Sequence, residues 1–212
     1  MVKTIIVIPN FNGERFLDKC MRALERQSTK DYSIYFVDNA SSDGSIAAIR
    51  AFQKNFPVEI NLLENRENYG FAKAVNQGIR YAEEEGAKYV LLLNNDTEAD
   101  ALFVENLVRC MEEKEKRGER VFALSSKMVK MHDPSMMDDA GDELCLLGFP
   151  FQRGLEDRAE NWTKEAKVFS ACAGAALYSV SALKRTGLFD EEHFAYLEDV
   201  DISFRATLYG YS

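Results

Sequence analysis

Short apolar runs alternate with amphipathic stretches through the first 125 residues, and this alternation constrains the fold more than any other feature. Residues 4–8 form a continuous β-branched run, the pattern of a strand that is buried on both faces of a sheet. Residues 16–24 follow with apolar side chains at helical spacing, and residues 99–116 form a later helix of the same kind. Because strands and helices alternate, we predict an α/β fold with a doubly wound, mostly parallel sheet and flanking helices. The further predicted strands are residues 32–37, 58–63, 89–93 and 121–125.

The pattern changes after residue 125, where we predict a smaller, mixed C-terminal part of a single domain that spans residues 1–212. Residues 128–167 combine Gly, Pro and acidic side chains and predict loops and short strands, whereas residues 168–180 resume a strand-like run. Two helices are predicted near the end of the chain, one capped by Ser181 and ending at Gly187, and one running from near Glu198 to Tyr209.

The charge and the cysteine content exclude several classes of function. The chain has 35 Asp and Glu against 26 Lys and Arg, a net charge of -9, which disfavours binding to nucleic acids and to anionic membrane surfaces. No apolar run is long enough for a signal peptide or a membrane span, so we expect a soluble, cytoplasmic protein. The cysteines are far apart and have neither metal-ligand nor redox spacing: Cys20, Cys110, Cys145 and Cys172.

Polar clusters follow three of the predicted strands, at the point where each strand ends. In an open parallel sheet, ligands bind outside the carboxyl ends of the strands. Turn formation alone accounts for any one cluster, since Asn and Asp are favoured in turns. Together, however, the clusters would bring carboxylates to one site without His or Cys, which suits Mg2+ or Mn2+ that bridges phosphates. The clusters are Pro9 with Asn10 and Asn12, Asp38 with Asn39, and Asn94 with Asn95 and Asp96.

Two predicted helix starts carry further candidate groups. Asn68 and Gly70 precede the third helix, where free backbone N–H groups favour an anion, although an ordinary Asn-x-Gly turn explains them equally well. Glu198 and Asp199 open the last helix, where acids stabilise the helix dipole and where a carboxylate shielded from water can act as a general base. Neither a P-loop nor a dinucleotide fingerprint occurs, so a bound diphosphate would depend on a metal and on side chains.

Taken in order, these motifs resemble the family 2 glycosyltransferases of the GT-A fold, in particular the rhamnosyltransferase-like type. The resemblance covers nearly the whole chain, and its specificity comes from the order of the set. It implies an inverting, metal-dependent enzyme that moves a sugar from a nucleotide-sugar donor to a glycan or lipid-linked acceptor. The motifs are residues 8–13 (Ile-Pro-Asn-Phe-Asn-Gly), 37–44 (Val-Asp-Asn-Ala-Ser-Ser-Asp-Gly), 68–72 (Asn-Tyr-Gly-Phe-Ala) with Asn76, 93–97 (Leu-Asn-Asn-Asp-Thr), and 187–190 (Gly-Leu-Phe-Asp) leading to 198–201 (Glu-Asp-Val-Asp).

The resemblance also implies catalytic and metal-binding roles. Asp199, with Glu198 beside it, matches the catalytic base that takes the proton of the acceptor hydroxyl. Asp96 would ligate Mg2+ or Mn2+. Because Asn94 replaces the first acid of the family's Asp-x-Asp motif, metal affinity without the nucleotide should be poor.

Donor binding is the second set of roles that the resemblance implies. Asp38 or Asn39 would contact the nucleoside base, and Gly174 would lie in a small-residue strand that lets the donor sugar approach the backbone. A dTDP- or UDP-linked sugar is the expected donor. The full set of expected donor-binding residues is Pro9, Asn10, Asn12, Asp38, Asn39, Asn68, Gly70, Asn76, Asn94, Asn95 and Gly174.

The resemblance further divides the predicted domain into two halves. Residues 1–125 would bind the nucleotide, and residues 126–212 would bind the acceptor and carry the catalytic group. Relatives continue with a further strand and acceptor-binding segments, so we expect this chain to be truncated at its C-terminus. We expect a cytoplasmic location, at the inner face of the membrane if segments outside this chain provide peripheral attachment.

Two other functions remain open at this point. A sugar nucleotidyltransferase has a similar sheet but needs a Gly-rich phosphate loop with Lys or Arg after the first strand, which residues 10–15 do not supply. A catalytically inactive nucleotide-sugar-binding module would share the same motifs. The presence of Asp96 and Asp199 argues against such a module.

Overall fold

Alternating strands and helices build the first half of the computed structural model, which describes residues 3–212. The strands are, in chain order, β1 (Thr4–Asn10), β2 (Tyr32–Asp38), β3 (Ile60–Glu64), β4 (Tyr89–Leu93), β5 (Ala123–Ser125), β6 (Met128–Lys130), β7 (Asp133–Asp139), β8 (Asp142–Leu144), β9 (Pro150–Gln152) and β10 (Ala175–Ser179). The helices are α1 (Glu14–Glu25), α2 (Ser45–Gln53), α3 (Phe71–Glu84), α4 (Phe103–Lys116), α5 (Val180–Thr186) and α6 (Glu198–Leu208).

Six of the strands form one central sheet in the order β3-β2-β1-β4-β10-β5. The pairs among β3, β2, β1 and β4 are parallel, as expected when helices connect consecutive strands, and β10 is antiparallel to both of its neighbours. The prediction of a doubly wound, mostly parallel sheet with flanking helices is therefore confirmed. Because β10 lies between β4 and β5, the two predicted halves, residues 1–125 and 126–212, share this sheet.

Helices cover both faces of the sheet, which explains the continuous apolar runs of the inner strands. Along β1, Ile5 and Val7 pack with residues of α3, α5 and α6 on one face, and Ile6 and Ile8 pack with residues of α1, α2 and α4 on the other. These four side chains are at most 1% exposed. Burying such a side chain stabilises the fold by about 1.5–3 kcal/mol. The core therefore fixes the positions of the strands, and polar loops follow at their ends.

A long-range contact moves the start of the fourth helix from the predicted position, Ala99, to Phe103. Gln27, two residues after α1, donates from Nε2 to the carbonyl oxygen of Asp100 at 2.6 Å and accepts the N–H of Val104 at 3.0 Å. Residues 99–102 are not helical, and residues 101–102 form a turn. The helix can therefore begin only after this segment.

The short helix α5 is capped by Ser179 and not, as predicted, by Ser181. The Ser179 hydroxyl accepts the N–H of Ala182 at 3.4 Å, whereas Ser181 already lies in the first turn. The predicted end at Gly187 is confirmed. Gly187 has a φ of +85°, a conformation that favours glycine after a helix.

Two small hairpins follow β5 and lie outside the central sheet. β6 pairs with β7 and β8 pairs with β9, both in antiparallel fashion, which matches the loops and short strands predicted for residues 128–167. A bridge between Asp142 and Ser170 attaches the second hairpin to the segment that precedes β10. In the described part of the chain, no helix combines the length and the apolar character needed to span a membrane.

Candidate functional site

The three polar clusters meet at the carboxyl edge of the parallel strands, as predicted. Asn10 connects them, since its Nδ2 donates to Asp38 Oδ1 at 2.7 Å and its Oδ1 accepts from Asn95 Nδ2 at 2.6 Å. Asn10 is 2% exposed and Asp38 is fully buried, so the bonds form where water is largely excluded. The ends of β1, β2 and β4 are thus held in one cluster.

Two serines of the motif at residues 37–44, which were not among the predicted site residues, shape the loop after β1. The Asp38 carboxylate accepts the backbone N–H of Ser41 at 2.8 Å and its hydroxyl at 2.6 Å. The N–H of Asn12 donates to the Ser41 hydroxyl, and Asn12 Oδ1 accepts the N–H of Ser42, both at 2.8 Å. Pro9 is partly exposed and Asn12 is exposed. These two residues, rather than the buried Asp38, offer free surface to a ligand.

Asn39 is buried and joins β2 to the start of α3. Its Nδ2 donates to the carbonyl oxygen of Gly70 at 3.1 Å, and its Oδ1 accepts from Asn65 Nδ2 at 2.9 Å. Asn39 is only 4% exposed. A direct contact with a nucleoside base, which the resemblance implied for Asp38 or Asn39, would have to displace bonds that already hold the loops together.

The start of α3 packs against the loop that leads into α6. Gly70 has a φ of +83°, and its N–H donates to Asn68 Oδ1 at 2.9 Å, an Asn-x-Gly turn. The N–H of Phe71 donates to the carbonyl oxygen of Phe194 at 2.7 Å, so this group is not free to bind an anion. A methyl group at Gly70 would lie 2.4 Å from the same oxygen. Glycine therefore permits the backbone contact between α3 and this loop.

Asn76 has a different role from the donor contact that the resemblance implied. It is 1% exposed on α3, and its amide clamps Phe189, with Nδ2 donating to the carbonyl oxygen at 2.8 Å and Oδ1 accepting the N–H at 3.0 Å. Its Nδ2 also donates to Glu191 Oε1 at 3.1 Å. Both hydrogens of the amide are thus used inside the protein, and Asn76 positions the loop before α6.

The turn after β4 presents one unbonded carboxylate. The N–H of Asn94 donates to the carbonyl oxygen of Gly174, and the Thr97 hydroxyl donates to the carbonyl oxygen of Asn94, both at 2.8 Å. Asp96 is exposed at this turn. Its carboxylate accepts no hydrogen bond from residues 3–212 and remains available to an incoming ligand.

This turn suits a metal ion that is held largely by a bound nucleotide. Within residues 3–212, no group of three or more His, Cys, Asp or Glu side chains has the arrangement of a metal site. Asp96 supplies one free carboxylate. Asn94 occupies the position of the first acid in the Asp-x-Asp motif named in the sequence analysis, so the turn has no second carboxylate there. Mg2+ is commonly bound through one or two carboxylates together with substrate phosphates. The residues therefore fit Mg2+ or Mn2+ as part of a complex with a diphosphate.

Gly174 lies in a turn before β10, and not within a strand as expected. The N–H of Ala175 donates to the carbonyl oxygen of Cys172 at 3.2 Å and closes this turn, so pairing with β4 begins only at Ala175. A methyl group at Gly174 would lie 3.1 Å from Asn94 Nδ2. The small residue thus allows the turn to pack closely against the end of β4.

Asp199 opens α6 and contacts the same turn. Its Oδ2 accepts the N–H of Ala173 at 3.3 Å, and its Oδ1 accepts the N–H of Val200 at 2.9 Å. Burial raises the pKa of Asp199, and the N–H groups offset this only in part. Tyr196 and Leu197, just before α6, have φ values of +76° and +67°, a strain that concentrates at functional sites. These are properties expected of a general base.

Glu198 lies beside Asp199 and is more deeply buried. It is 6% exposed, and its Oε2 has no hydrogen-bond partner in the described residues. Burial raises the pKa of Glu198, and the charge of Asp199 raises it further. The predicted pair thus consists of one half-buried acid with bonded oxygens and one buried acid with a free oxygen.

Two further acids near Asp199 were missed by the sequence analysis. Asp142 is 8% exposed, and burial together with the charges of Asp139 and Asp199 raises its pKa to about 6. Burial also raises the pKa of Asp139. Because the bridge to Ser170 brings the hairpin to this place, no local pattern around these acids could have indicated their position.

A cavity of about 950 Å³ lies away from this cluster, along β5 and the segment that precedes Phe169. Side chains of α4 and α6 line other parts of it. None of the site residues predicted from the sequence contributes to its walls. The acids and amides that can carry chemistry instead lie at the open edge of the sheet.

Comparison with known proteins agrees with the predicted family and fold. Residues 5–187 match Glycosyl transferase family 2. The amylovoran biosynthesis glycosyltransferase AmsB of Erwinia amylovora is 25% identical over 211 residues, which cover 97% of this chain and 64% of AmsB. The present chain therefore spans less than two thirds of this relative.

Solved structures show the same fold. The mannosyltransferase PcManGT from Pyrobaculum calidifontis, solved with GDP-Man and Mn2+, has a TM-score of 0.71 at 17% identity, over 99% of this chain and 53% of PcManGT. TarS 1-349 of S. aureus, solved with UDP-GlcNAc, has a TM-score of 0.65 at 19% identity, over 97% of this chain and 53% of TarS 1-349. The fold is GT-A, and since the family match covers residues 5–187, the chain belongs to glycosyl transferase family 2.

Proposed function

We propose that this protein transfers a sugar from a nucleotide-sugar donor to a glycan or lipid-linked acceptor, with inversion of the anomeric configuration and with a divalent metal. The observation that carries the proposal is the turn at residues 172–175. Its backbone accepts the Asn94 N–H on one side and donates to Asp199 on the other. The turn therefore connects the end of β4, which bears Asp96, with the start of α6.

Asp199 is the proposed general base. It takes the proton of the acceptor hydroxyl while that oxygen attacks the anomeric carbon of the donor sugar. The bond from the anomeric carbon to the diphosphate oxygen breaks on the opposite face, so the configuration inverts. Mg2+ or Mn2+, when bound at Asp96, would neutralise charge on the departing diphosphate.

The proposed donor-binding residues act in two ways. Pro9 and Asn12 present surface at the strand-end edge, and Asn94 and Asn95 border Asp96, so these residues are proposed to lie against the donor. The others hold the loops in place through buried hydrogen bonds and turns, as described above for Asn10, Asp38, Asn39, Asn68, Gly70 and Gly174.

The class of donor is proposed from the relatives. PcManGT was solved with GDP-Man and Mn2+, TarS 1-349 was solved with UDP-GlcNAc, and AmsB is named for amylovoran biosynthesis. These names support a nucleotide-linked hexosyl donor and a role in polysaccharide assembly. The choice of a UDP- or dTDP-linked sugar rests on the resemblance described in the sequence analysis. The proposed location is cytoplasmic, at the inner face of the membrane if the acceptor is lipid-linked.

Calorimetry with UDP-, GDP- and dTDP-sugars, with and without Mn2+, tests donor binding, and release of the nucleoside diphosphate tests turnover. We expect binding that depends on Mn2+. Asp199→Asn should bind the donor as the wild type does and lose turnover by about a hundredfold or more. Glu192→Gln, an exposed change in the loop before α6, is the control and should retain turnover.

The outcomes separate the remaining possibilities. If no nucleotide sugar bound even with Mn2+, the transferase proposal would be wrong. Donor binding without turnover, either to water or to an added acceptor, would indicate a binding module instead. Full turnover of Asp199→Asn would remove Asp199 as the base while leaving the family assignment intact.

A further inference from the structure

Asp142 is a buried acid without a partner in the described protein. It is 8% exposed, and its carboxylate accepts no hydrogen bond from residues 3–212. Asp139 shows the contrast, since its oxygens accept the N–H of Gly141 at 2.7 Å and Nε2 of Gln152 at 3.1 Å. The Asp142 oxygens are not among the fully enclosed unpartnered atoms, so they remain open to water or to a ligand. Asp142 lacks the donor that a purely structural acid would have.

The backbone, and not the side chain, fixes the position of Asp142. Its N–H donates to the carbonyl oxygen of Ser170 at 2.9 Å, and its carbonyl oxygen accepts the N–H of Phe169 at 2.8 Å. The same segment continues to Ala173, whose N–H binds Asp199. Strand β8 thus holds Asp142 beside the turn that contacts the proposed base.

The Asp142 carboxylate lies within range of the charges of other acids of the site. The charges that act on it are those of Asp139 and Asp199, and the same three acids act on the thiol of Cys172. Within residues 3–212, no Lys or Arg forms an ion pair with Asp142. A second unpartnered oxygen, Oε2 of Glu198, belongs to the residue next to Asp199. Carboxylate oxygens without a hydrogen-bond donor from the described residues thus lie on both Asp142 and the neighbour of the base.

We propose that Asp142 is a specificity-determining residue that accepts hydrogen bonds from ring hydroxyl groups of a sugar at the transfer site. This inference rests on the proposed function. An ionised carboxylate only accepts, so it selects a ligand that donates, and sugar hydroxyls donate whereas the phosphates of a nucleotide do not. The sugar is either the transferred unit of the donor or the acceptor, since both must lie near Asp199 when the new bond forms.

The first arm of the test measures what the transferred sugar adds to donor binding. Calorimetry with Mn2+ compares UDP, GDP and dTDP with UDP-Glc, UDP-GlcNAc, GDP-Man and dTDP-Rha, and the ratio of the two dissociation constants for one base gives the contribution of the sugar. If the donor sugar contacts Asp142, Asp142→Asn should reduce this ratio about tenfold. Affinity for the nucleoside diphosphate reports that the variant is folded.

The second arm addresses the acceptor. Release of nucleoside diphosphate from the donor that binds best is measured with and without a panel of methyl glycosides, and the ratio of the two rates gives the acceleration by a sugar acceptor. If the acceptor contacts Asp142, Asp142→Asn should reduce this acceleration about tenfold. If no methyl glycoside accelerates the wild type, the first arm alone decides.

Two further variants make the result specific. Asp138→Asn is the matched control, because Asp138 is close in the chain, carries the same group and is exposed. Asp142→Glu retains a carboxylate and should keep part of whichever ratio Asp142→Asn loses. An equal loss in both Asp142 variants, or unchanged ratios in Asp142→Asn, would overturn the inference. Failure of the wild type to bind any nucleotide would instead overturn the proposed function, independently of any Asp142 variant.

Discussion

Replacing Asp142 by asparagine should stabilise the protein at neutral pH and change its stability little in acid. Burial and the charges of Asp139 and Asp199 raise the pKa of Asp142 from 3.8 to about 6 in the folded protein. In the unfolded chain the pKa returns to about 3.9. The folded state therefore holds the proton more tightly, and ionisation of Asp142 lowers stability as the pH rises from about 4 through about 6.

The magnitude follows from the difference between the two pKa values. About two pKa units correspond to about 3 kcal/mol at neutral pH if the carboxylate is wholly removed from water. Asp142 retains some contact with solvent, since 8% of the residue is exposed. Solvent screening reduces the effect, so we expect Asp142→Asn to raise the free energy of unfolding by about 1–2 kcal/mol at neutral pH.

Urea unfolding of the wild type, Asp142→Asn and the control Asp138→Asn, at several pH values between about 4 and 7.5, measures this difference. The gain in Asp142→Asn should be near zero at the acid end and should grow through the interval in which Asp142 ionises. Asp138→Asn should show no such trend, because that carboxyl is exposed. A loss of stability at neutral pH, or a difference independent of pH, would show that the protein satisfies the Asp142 carboxylate.

Three other substitutions test separate parts of the site. Asp96→Ala should weaken donor binding in calorimetry mainly when Mn2+ is present, and an unchanged effect of Mn2+ would exclude Asp96 as a ligand. Asn76→Ala should lower the free energy of unfolding by about 2–3 kcal/mol in urea, because the buried N–H and carbonyl groups of Phe189 lose their partners; a loss of donor affinity with unchanged stability would contradict this. Gly70→Ala should cost about 1–3 kcal/mol in thermal unfolding, because φ is +83° and the added methyl meets the Phe194 carbonyl; wild-type stability would refute the tight contact.

The central strands could be predicted because their apolar runs are stable in only one environment, the interior of a sheet covered on both faces. β4 occupies residues 89–93, as the sequence pattern predicts. The start of α4 could not be predicted, because Gln27, far away in the chain, binds the backbone at Asp100 and Val104. Helix propensity depends only on neighbouring residues, so it cannot predict a contact with a residue far away in the chain.

The candidate site likewise combines features that the local sequence predicts with features that depend on contacts between distant residues. Asn10 and Asp38 could be expected to meet, because the ends of adjacent parallel strands lie at one edge. The motif around Asn76 indicated the family correctly but could not reveal that its amide binds the backbone of Phe189. The approach of Asp142 to Asp199 was equally inaccessible, because it depends on pairing between β8 and a segment almost thirty residues later.

The direction in which folding shifts the pKa of each carboxyl group links the proposed transfer site to the stability of the protein. Several other carboxyl groups, such as Glu112, Asp133 and Glu165, have a lowered pKa because they accept hydrogen bonds, and these groups stabilise the fold when ionised. Carboxyl groups with a raised pKa destabilise the fold at neutral pH, where they are ionised. Proteins retain such destabilising groups where activity requires them. Within residues 3–212 all the carboxyl groups with a raised pKa are in the proposed transfer site: Asp139, Asp142, Glu198 and Asp199. A sugar that donates hydroxyl hydrogens to these acids would relieve part of this cost, which physically links the burial of the acids to the recognition of the substrate.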